Sequence, residues 1–210
     1  MYGGRFSMDT ISKNFTSFDV FGMFIPGSIL LFALAYFTGN DVFNVFLKLK
    51  GTNDIIATIV FLALCYGVGT VISSLGNVLI KILEKWCNND IESSEIKQTL
   101  QTKYNYSDEY FNKAKNPNNK IYSTANRILR SDPKYSRITT FSSLIAISKS
   151  MFIVVVIIFI AQIKTDVKGP DVYLIDIILM CIFGYRTYKM FKCRNDYIYD
   201  YFKIKKQLKI

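Results

Sequence analysis

The stretch IIATIVFLALCYGVGTVISSLGNVLIKILEKW, residues 55–86, decides the fold that we predict for this chain. It contains no charged residue from Ile55 to Ile80, and roughly 20 apolar residues are enough to cross a bilayer core. At ~1.5 Å per residue, a helix of this length also exceeds a hydrocarbon core of ~30 Å. We therefore expect a membrane-spanning helix that tilts strongly or whose end projects into water.

Small residues recur along one face of this helix. Cys65, Gly69, Ser73 and Gly76 follow one another at steps of four, four and three, a spacing that keeps them on one helical face. Small side chains let a neighbouring helix approach closely. We predict that this face packs against another helix.

Polar residues with the same spacing form a second face, made of Thr70, Ser74, Asn77 and Lys81. Because lipid disfavours polar groups, this face should meet protein or water. Two interpretations stay open. The side chains hydrogen-bond within one four-helix subunit, or they line a pore or gated cleft formed by several copies.

The composition indicates a mixture of membrane spans and cytosolic surface. Half of the 210 residues are hydrophobic, yet 20% are charged, which fits neither an ordinary soluble domain nor a wholly buried membrane protein. The net charge of +10 agrees with nucleic-acid binding or with the excess of Lys and Arg in cytoplasmic segments of membrane proteins. We favour the second explanation.

The sequence argues against an enzyme. It contains no histidine, which removes Ser-His and Cys-His catalysis and the usual zinc ligand sets. The four cysteines show no CxxC spacing, and no phosphate-binding or HExxH motif is present,. We expect no catalytic residues, no metal and no cofactor.

Three further apolar stretches complete the predicted bundle. The first lies between Asp19 and Asp41. Pro26 disfavours helix before it, so we expect an interfacial segment before a span that starts at Pro26, with the proline as a kink or a hinge. The third helix starts at Asp132-Pro133 and carries Lys149 at its inner edge, where a lysine can snorkel to water. The fourth starts at Val172.

The distribution of basic residues gives the orientation. Most lysines and arginines lie in the central polar insert and in the tail, whereas the two predicted outer loops contain Lys48, Lys50, Lys164 and Lys168. The positive-inside rule then places both termini and the insert in the cytoplasm. The predicted segments are a cytosolic arm at 1–19, the first two transmembrane helices at 20–86, a cytosolic helical insert at 87–132, the last two transmembrane helices at 133–187 and a basic helical tail at 188–210.

Two further groups are candidate sites. Asp176 lies about one turn inside the fourth span and either pairs with Lys164 or Lys168 or forms a cation site. The tail starts with a basic group that we predict to contact membrane or partner: Arg186, Lys189, Lys192 and Arg194. Its interleaved tyrosines could stack on nucleobases, but no nucleic-acid-binding motif is present, and we do not expect that partner.

Four stretches of the chain carry a resemblance to known proteins: FDVFGMFIPG at 18–27, GVGTVISSLGNVL at 67–79, SDPKYSRITTF at 131–141 and YRTYKMF at 185–191. With these stretches in this order, the chain resembles a family of small membrane proteins found beside bacterial antiviral defence genes. In layout it is similar to the four-span membrane subunit of the Kiwa system. The resemblance implies an oligomeric inner-membrane protein that senses infection or disturbs the membrane when a cytosolic partner triggers it.

The sequence therefore predicts an all-α integral membrane four-helix bundle whose helices extend into a cytosolic helical region. We expect a multi-pass protein of the bacterial inner membrane, with lipids, further copies of itself and a cytosolic protein as partners. The expected function is a non-enzymatic sensor or effector of antiviral defence that perturbs or gates the membrane. The alternatives are a scaffold that recruits a soluble effector, or a small channel or transporter unrelated to defence.

Overall fold

A computed structural model describes residues 17–37, 54–87, 90–130, 136–165 and 170–207 of the chain. These residues form seven helices, and the predicted all-α class is confirmed for them. The helices are α1 (Ser17–Phe37), α2 (Asp54–Cys87), α3 (Asp90–Tyr104), α4 (Asp108–Asn112), α5 (Pro117–Arg130), α6 (Ser136–Lys164) and α7 (Pro170–Gln207).

Two of these helices are long and apolar enough to cross a membrane. They are Ile55–Cys87 in α2 and Arg137–Lys164 in α6. α1 contributes a shorter apolar segment, Gly22–Phe37. Among the described residues, α1 and α7 do not meet the same criteria of length and composition. Two of the four predicted spans are therefore long and apolar enough to cross a membrane.

α1 passes through Pro26 without a break. We expected an interfacial segment before the proline, but a single helix runs from Ser17 to Phe37. Proline removes the hydrogen bond to the carbonyl of Gly22, four residues earlier. Membrane helices tolerate this loss when hydroxyl side chains and neighbouring helices satisfy the freed groups. Here the Ser28 hydroxyl donates to the Ile25 carbonyl at 2.9 Å.

The polar insert, predicted to be helical, contains the three short helices α3, α4 and α5. α5 begins at Pro117, because proline suits the first helical position, where its missing N–H has no intrahelical partner. The predicted start of the third long helix at Asp132-Pro133 lies outside the described residues, as do Lys48, Lys50 and Lys168 of the two predicted outer loops.

The chain divides into two compact units. The first combines the chain up to Asn77 with Ala146–Gly184, and the second combines Val78–Ile145 with the chain from Tyr185 onward. α2, α6 and α7 therefore contribute residues to both units. The second unit takes the last part of α2 and the first part of α6 in addition to the insert and tail.

Each unit has its own apolar core. In the first unit, Leu30 of α1, Ile72 of α2 and Val154 of α6 form a buried cluster. In the second unit, a small cluster joins Leu83, Ile145 and Phe191, and a larger one joins residues of α3 to α7. The buried members of the larger cluster are Ile96, Leu100, Phe111, Ile121, Tyr122, Ala125, Leu129, Ile138, Ile198 and Phe202.

Candidate functional site

The small-residue face of α2 lies against α1 at a close backbone crossing. Cys65 is fully buried. A Cβ atom placed on Gly69 would overlap the carbonyl of Met23, and one placed on Gly27 would overlap the carbonyl of Cys65. Only glycine fits at both positions, because any side chain would enter the backbone of the facing helix.

The same face of α2 continues to Gly76, which faces α6. The Cγ and Cδ atoms of Lys149 lie 3.1 Å from where a Cβ of Gly76 would stand. Ser73, between the two glycines, is half-buried. The predicted small-residue face therefore packs against two different neighbours. At Gly69 the neighbour is the backbone of α1, and at Gly76 it is the side chain of Lys149 from α6.

On the predicted polar face, both hydroxyls are satisfied by their own helix. Thr70 Oγ1 donates to the Gly67 carbonyl at 2.6 Å, and Ser74 Oγ donates to the Thr70 carbonyl at 2.9 Å. Thr70 is half-buried, whereas Ser74 is exposed. These bonds shield the hydroxyls, so this part of the face is less polar than the sequence indicates.

Asn77, on the same face, receives a hydrogen bond from a lysine of α6. Lys149 Nζ donates to Asn77 Oδ1 at 2.5 Å, and Lys149 is only 8% exposed. The expectation that this lysine snorkels to water is wrong, because its stem packs over Gly76 and its head stays on Asn77. Lys81, the last predicted member of the face, is exposed and belongs to the second unit.

Asp176 is buried beside Gln162 of α6. Both side chains are 7% exposed, and the Gln162 side chain hydrogen-bonds the carboxyl group of Asp176. Asp176 Oδ2 and Gln162 Oε1 have no hydrogen-bond partner. We predicted either pairing with Lys164 or Lys168 or a cation site. Lys164 is exposed, and Lys168 lies outside the described residues.

The four basic residues that begin the tail divide into two kinds. Arg186, Lys189 and Lys192 are exposed, but Arg194 turns inward. Its guanidinium lies 4.5 Å from the centre of the Phe191 ring, and its Nη2 donates to Asn195 Oδ1 at 3.3 Å. Burial, followed by the nearby charge of Arg130, lowers the pKa of Arg194 to about 10.

Two long-range hydrogen bonds in the second unit were not predicted from the sequence. Asn119 Nδ2 donates to Glu84 Oε2 at 2.9 Å, and Tyr122 Oη donates to Glu92 Oε2 at 2.9 Å. Each bond joins residues 30 or more positions apart. A single sequence carries no signal for such pairs, because each partner is an ordinary polar residue on a polar helix.

Within the described part of the chain, no group of three or more Cys, Asp and Glu side chains is arranged to hold a metal ion. All four cysteines are free thiols. Comparison with protein-family models, with curated proteins and with solved structures found no match to this chain.

Proposed function

We propose that this chain is a four-span protein of the bacterial inner membrane that assembles with further copies of itself. In this proposal its insert and tail form a cytosolic helical region that engages a protein partner. Engagement then perturbs or gates the membrane as part of an antiviral defence response. The protein performs no chemistry of its own.

The observation that carries the membrane part of the proposal is the distribution of side chains in the first unit. Charged and polar groups face inward, including Lys149, Gln162 and Asp176. Large apolar side chains face outward along α2, and only 17% of its most apolar window is buried. A water-soluble domain rarely exposes contiguous apolar surface of this kind, whereas lipid requires it.

The outward apolar residues are found on all four helices of the unit. On α1 they are Ile25, Ile29, Phe32, Leu34 and Tyr36; on α2, Ile55, Ile56, Ile59, Val60, Leu62, Leu64, Val71 and Leu75; on α6, Ile160 and Ile163; and on α7, Leu174, Ile175, Ile177, Ile178 and Ile182. The α7 residues support a fourth crossing, because five of them fall within a segment of nine residues before Gly184.

Self-association is supported by the region around Ser74 and Asn77. Both residues are exposed, and an amide side chain is disfavoured against acyl chains. A second copy or a water-filled path would remove this conflict. We propose that copies meet at this face and that partner binding changes their packing there.

The membrane-gating proposal is tested by conductance of the purified, partner-activated protein in planar bilayers. Replacing Ser74 and Asn77 together with leucine should reduce the conductance by at least about tenfold if the face lines the path. The matched control is Val71→Leu with Leu75→Ile, two apolar replacements at exposed positions of the same helix. The control should conduct like the wild type.

Two results would contradict the gating proposal. One is activated protein that passes no ions and causes no depolarisation in cells. The other is a Ser74/Asn77 double variant whose conductance equals that of the control. The defence role is tested separately by phage plaque counts on cells with and without the gene and its neighbours, where unchanged counts would exclude it.

The second candidate function is a membrane scaffold that recruits a soluble effector without conducting ions. The hydrogen bonds of Thr70 and Ser74 favour it, because hydroxyls that bond to their own helix are tolerated without a water-filled path. A scaffold carrying the Ser74/Asn77 double replacement should still co-purify with its partner. A pore should lose conductance with the same change.

A further inference from the structure

An apolar stripe runs along one side of α2 and reaches the end of the helix. Its members follow one another at steps of four, three, four and four, which keeps them on one side. All of them are exposed: Val71, Leu75, Val78, Ile82 and Trp86. The first two belong to the lipid-facing surface of the proposed membrane part, and the last three lie wholly within the second unit. The apolar surface of α2 therefore does not stop where its uncharged stretch ends.

Lysines border the last part of the apolar stripe. Lys81 follows Val78 by three positions and Lys85 follows Ile82 by three, so both lie along one edge of the stripe. Both lysines are exposed, and Trp86 is 80% exposed. A helix side that combines large apolar residues, a tryptophan and lysines is typical of a surface at the boundary between lipid headgroups and acyl chains.

The opposite side of the same segment packs inside the second unit. Leu83 is buried there with Ile145 and Phe191. The apolar stripe is thus the outer side of a segment whose inner side already has its core. Whatever covers the stripe comes from outside the described residues, and its continuity with the lipid-facing residues of α2 favours lipid.

The length of α2 distinguishes the two arrangements that its sequence leaves open, a strong tilt or an end in water. At ~1.5 Å per residue, Trp86 lies about 47 Å along the axis from Ile55. The hydrocarbon core with one headgroup layer measures only about 36 Å. An upright helix would leave Ile82 and Trp86 in water. A tilt near the upper end of the range of ~0–40° places both in the headgroup layer.

Resting on the four-span arrangement proposed above, we propose that Val78, Ile82 and Trp86 lie in the inner leaflet at the level of the headgroups. In this arrangement α2 tilts to bring them there, and anionic phospholipid is the partner of this surface. The apolar side chains meet the upper part of the acyl chains. The ammonium groups of Lys81 and Lys85 extend to the lipid phosphates, with their stems along the apolar surface.

The same unit contains a second segment of this composition, at the point where α7 passes Gly184. Tyr185 is 65% exposed and Tyr188 is 39% exposed. The basic residues beside them, Arg186 and Lys189, are exposed as well. Tyrosine and tryptophan share the preference for the headgroup level, because each has an apolar ring and a polar group. Both helices therefore carry aromatic and basic side chains outward as they leave the proposed membrane part.

The experiment measures the fluorescence of Trp86, which is the only tryptophan of the chain. The full chain is reconstituted in vesicles of phosphatidylcholine with phosphatidylglycerol, and lipids brominated either near the headgroup or near the chain end serve as quenchers. The shallow label should reduce the emission more than the deep label does, and acrylamide in the water should quench weakly. The loss with the shallow label should be smaller in phosphatidylcholine alone, because anionic lipid attracts the lysines.

The matched control moves the tryptophan into the insert, as Trp86→Phe combined with Lys115→Trp. Lys115 is exposed, so acrylamide should quench its replacement strongly and brominated lipid should not. A second variant, Trp86→Phe with Tyr185→Trp, places the tryptophan on α7. It should respond to the shallow label as the wild type does.

Each contrary result overturns a defined part of the proposal. Stronger quenching by the deep label overturns the headgroup position, and acrylamide quenching as strong as in the Lys115→Trp control overturns the tilt. Protection from acrylamide without quenching by lipid shows that protein, such as a second copy, covers the stripe. Equal quenching in neutral and anionic vesicles overturns the role of the lysines. Release of the chain by alkaline carbonate would instead refute the four-span arrangement itself.

Discussion

The backbones of α1 and α2 touch at two glycines, where no side chain would fit. Gly27 faces the carbonyl of Cys65 and the amide of Gly69, and Gly69 faces the carbonyl of Met23. Each glycine therefore lies against the backbone of the other helix. Such contacts are favourable in lipid, where close approach and weak Cα–H···O bonds replace the hydrophobic drive available in water.

Adding one methyl group at this crossing should destabilise the first unit. We expect Gly69→Ala and Gly27→Ala each to lower the free energy of unfolding in detergent by about 1–3 kcal/mol, because the helices must move apart. The measurement is the midpoint of thermal or denaturant unfolding.

The chain offers a matched control two residues away. Gly67 has nothing within 4 Å of an added Cβ, so Gly67→Ala should be neutral or stabilising by up to about 1 kcal/mol through its higher helix propensity. Equal effects at Gly67 and Gly69 would contradict the close crossing.

Tyr122 should make the second unit sensitive to alkaline pH. Burial, and then the hydrogen bond to Glu92, raise the pKa of Tyr122 above its ordinary value. The unfolded chain releases this proton near pH ~10, while the folded state retains it. The stability that this difference supplies is fully present below pH ~10 and is lost as the pH rises above it.

The corresponding prediction concerns Tyr122→Phe. At neutral pH it should cost about 1–3 kcal/mol, since the carboxylate of Glu92 loses a donor. Above pH ~10 the gap between wild type and variant should narrow, because the wild type alone loses this contribution. Unfolding measured from neutral to alkaline pH checks this, and Tyr185→Phe, at an exposed position, serves as control. A gap that widens with pH would refute it.

At the residue scale, helical spacing predicted which side of α2 is buried, but not the residues that it contacts. It placed Cys65, Gly69 and Gly76 on one face of the helix, and all three are buried. It did not identify Gly27, because its partner is a backbone carbonyl, which every residue has. It also placed Arg194 with its exposed neighbours, since periodicity cannot separate a basic side chain that folds inward from one that points to water.

At the scale of elements, α4 depends on its cap more than the other helices do. It has five residues, too few to be stable by propagation alone. Ser107 Oγ accepts from the Tyr110 N–H at 3.3 Å, and Asn105, just before it, has φ of 54°. That left-handed conformation is one that asparagine adopts more readily than most residues.

Removing this cap should loosen α4. We expect Ser107→Ala to cost about 0.5–2 kcal/mol, whereas Ser107→Asp should be close to neutral because aspartate also caps. Ser123→Ala, at an exposed position outside a cap, is the control. Hydrogen exchange of the Tyr110 amide reports the local effect directly. Unchanged exchange in Ser107→Ala would exclude the capping role.

The helices themselves were largely predictable, and their ends were not. Apolar length identified α2 and α6. α1 was predicted too short because proline was treated as a break, whereas a neighbouring hydroxyl and close packing preserve the helix. Tertiary contacts of this kind override local preference, and a single sequence does not encode them locally.

At the scale of the whole molecule, the proposed arrangement of four spans makes a directional prediction. In a cysteine-free background, Lys115→Cys in the insert should react with an impermeant thiol reagent only when the cytosolic side is accessible. Thr165→Cys, at the end of α6, should react only from the opposite side. Both positions are exposed, so reactivity reports sidedness and not burial. Reaction of both from one side would refute the four-span arrangement.

The sequence did not predict how the described residues divide into two compact units. The segments predicted from the sequence end at Trp86, where the chain becomes polar, and at Asp132, which precedes Pro133. The structural units divide instead at Asn77 and Ile145, within α2 and α6. Packing decides these limits, since the last turns of α2 contribute Leu83 to the core formed with Ile145 and Phe191.

The crossing at Gly27 and Gly69 also limits how the first unit can move. Two helices whose backbones are in direct contact cannot slide or rotate past each other without first separating, so we expect α1 and α2 to move as one rigid body. The contact of α2 with α6 is made instead by side chains, including Ile72 against Val154 and the flexible Lys149 over Gly76, and side chains can adjust by rotamer changes. Any opening of this unit should therefore begin along the α6 side, while α1 travels with α2.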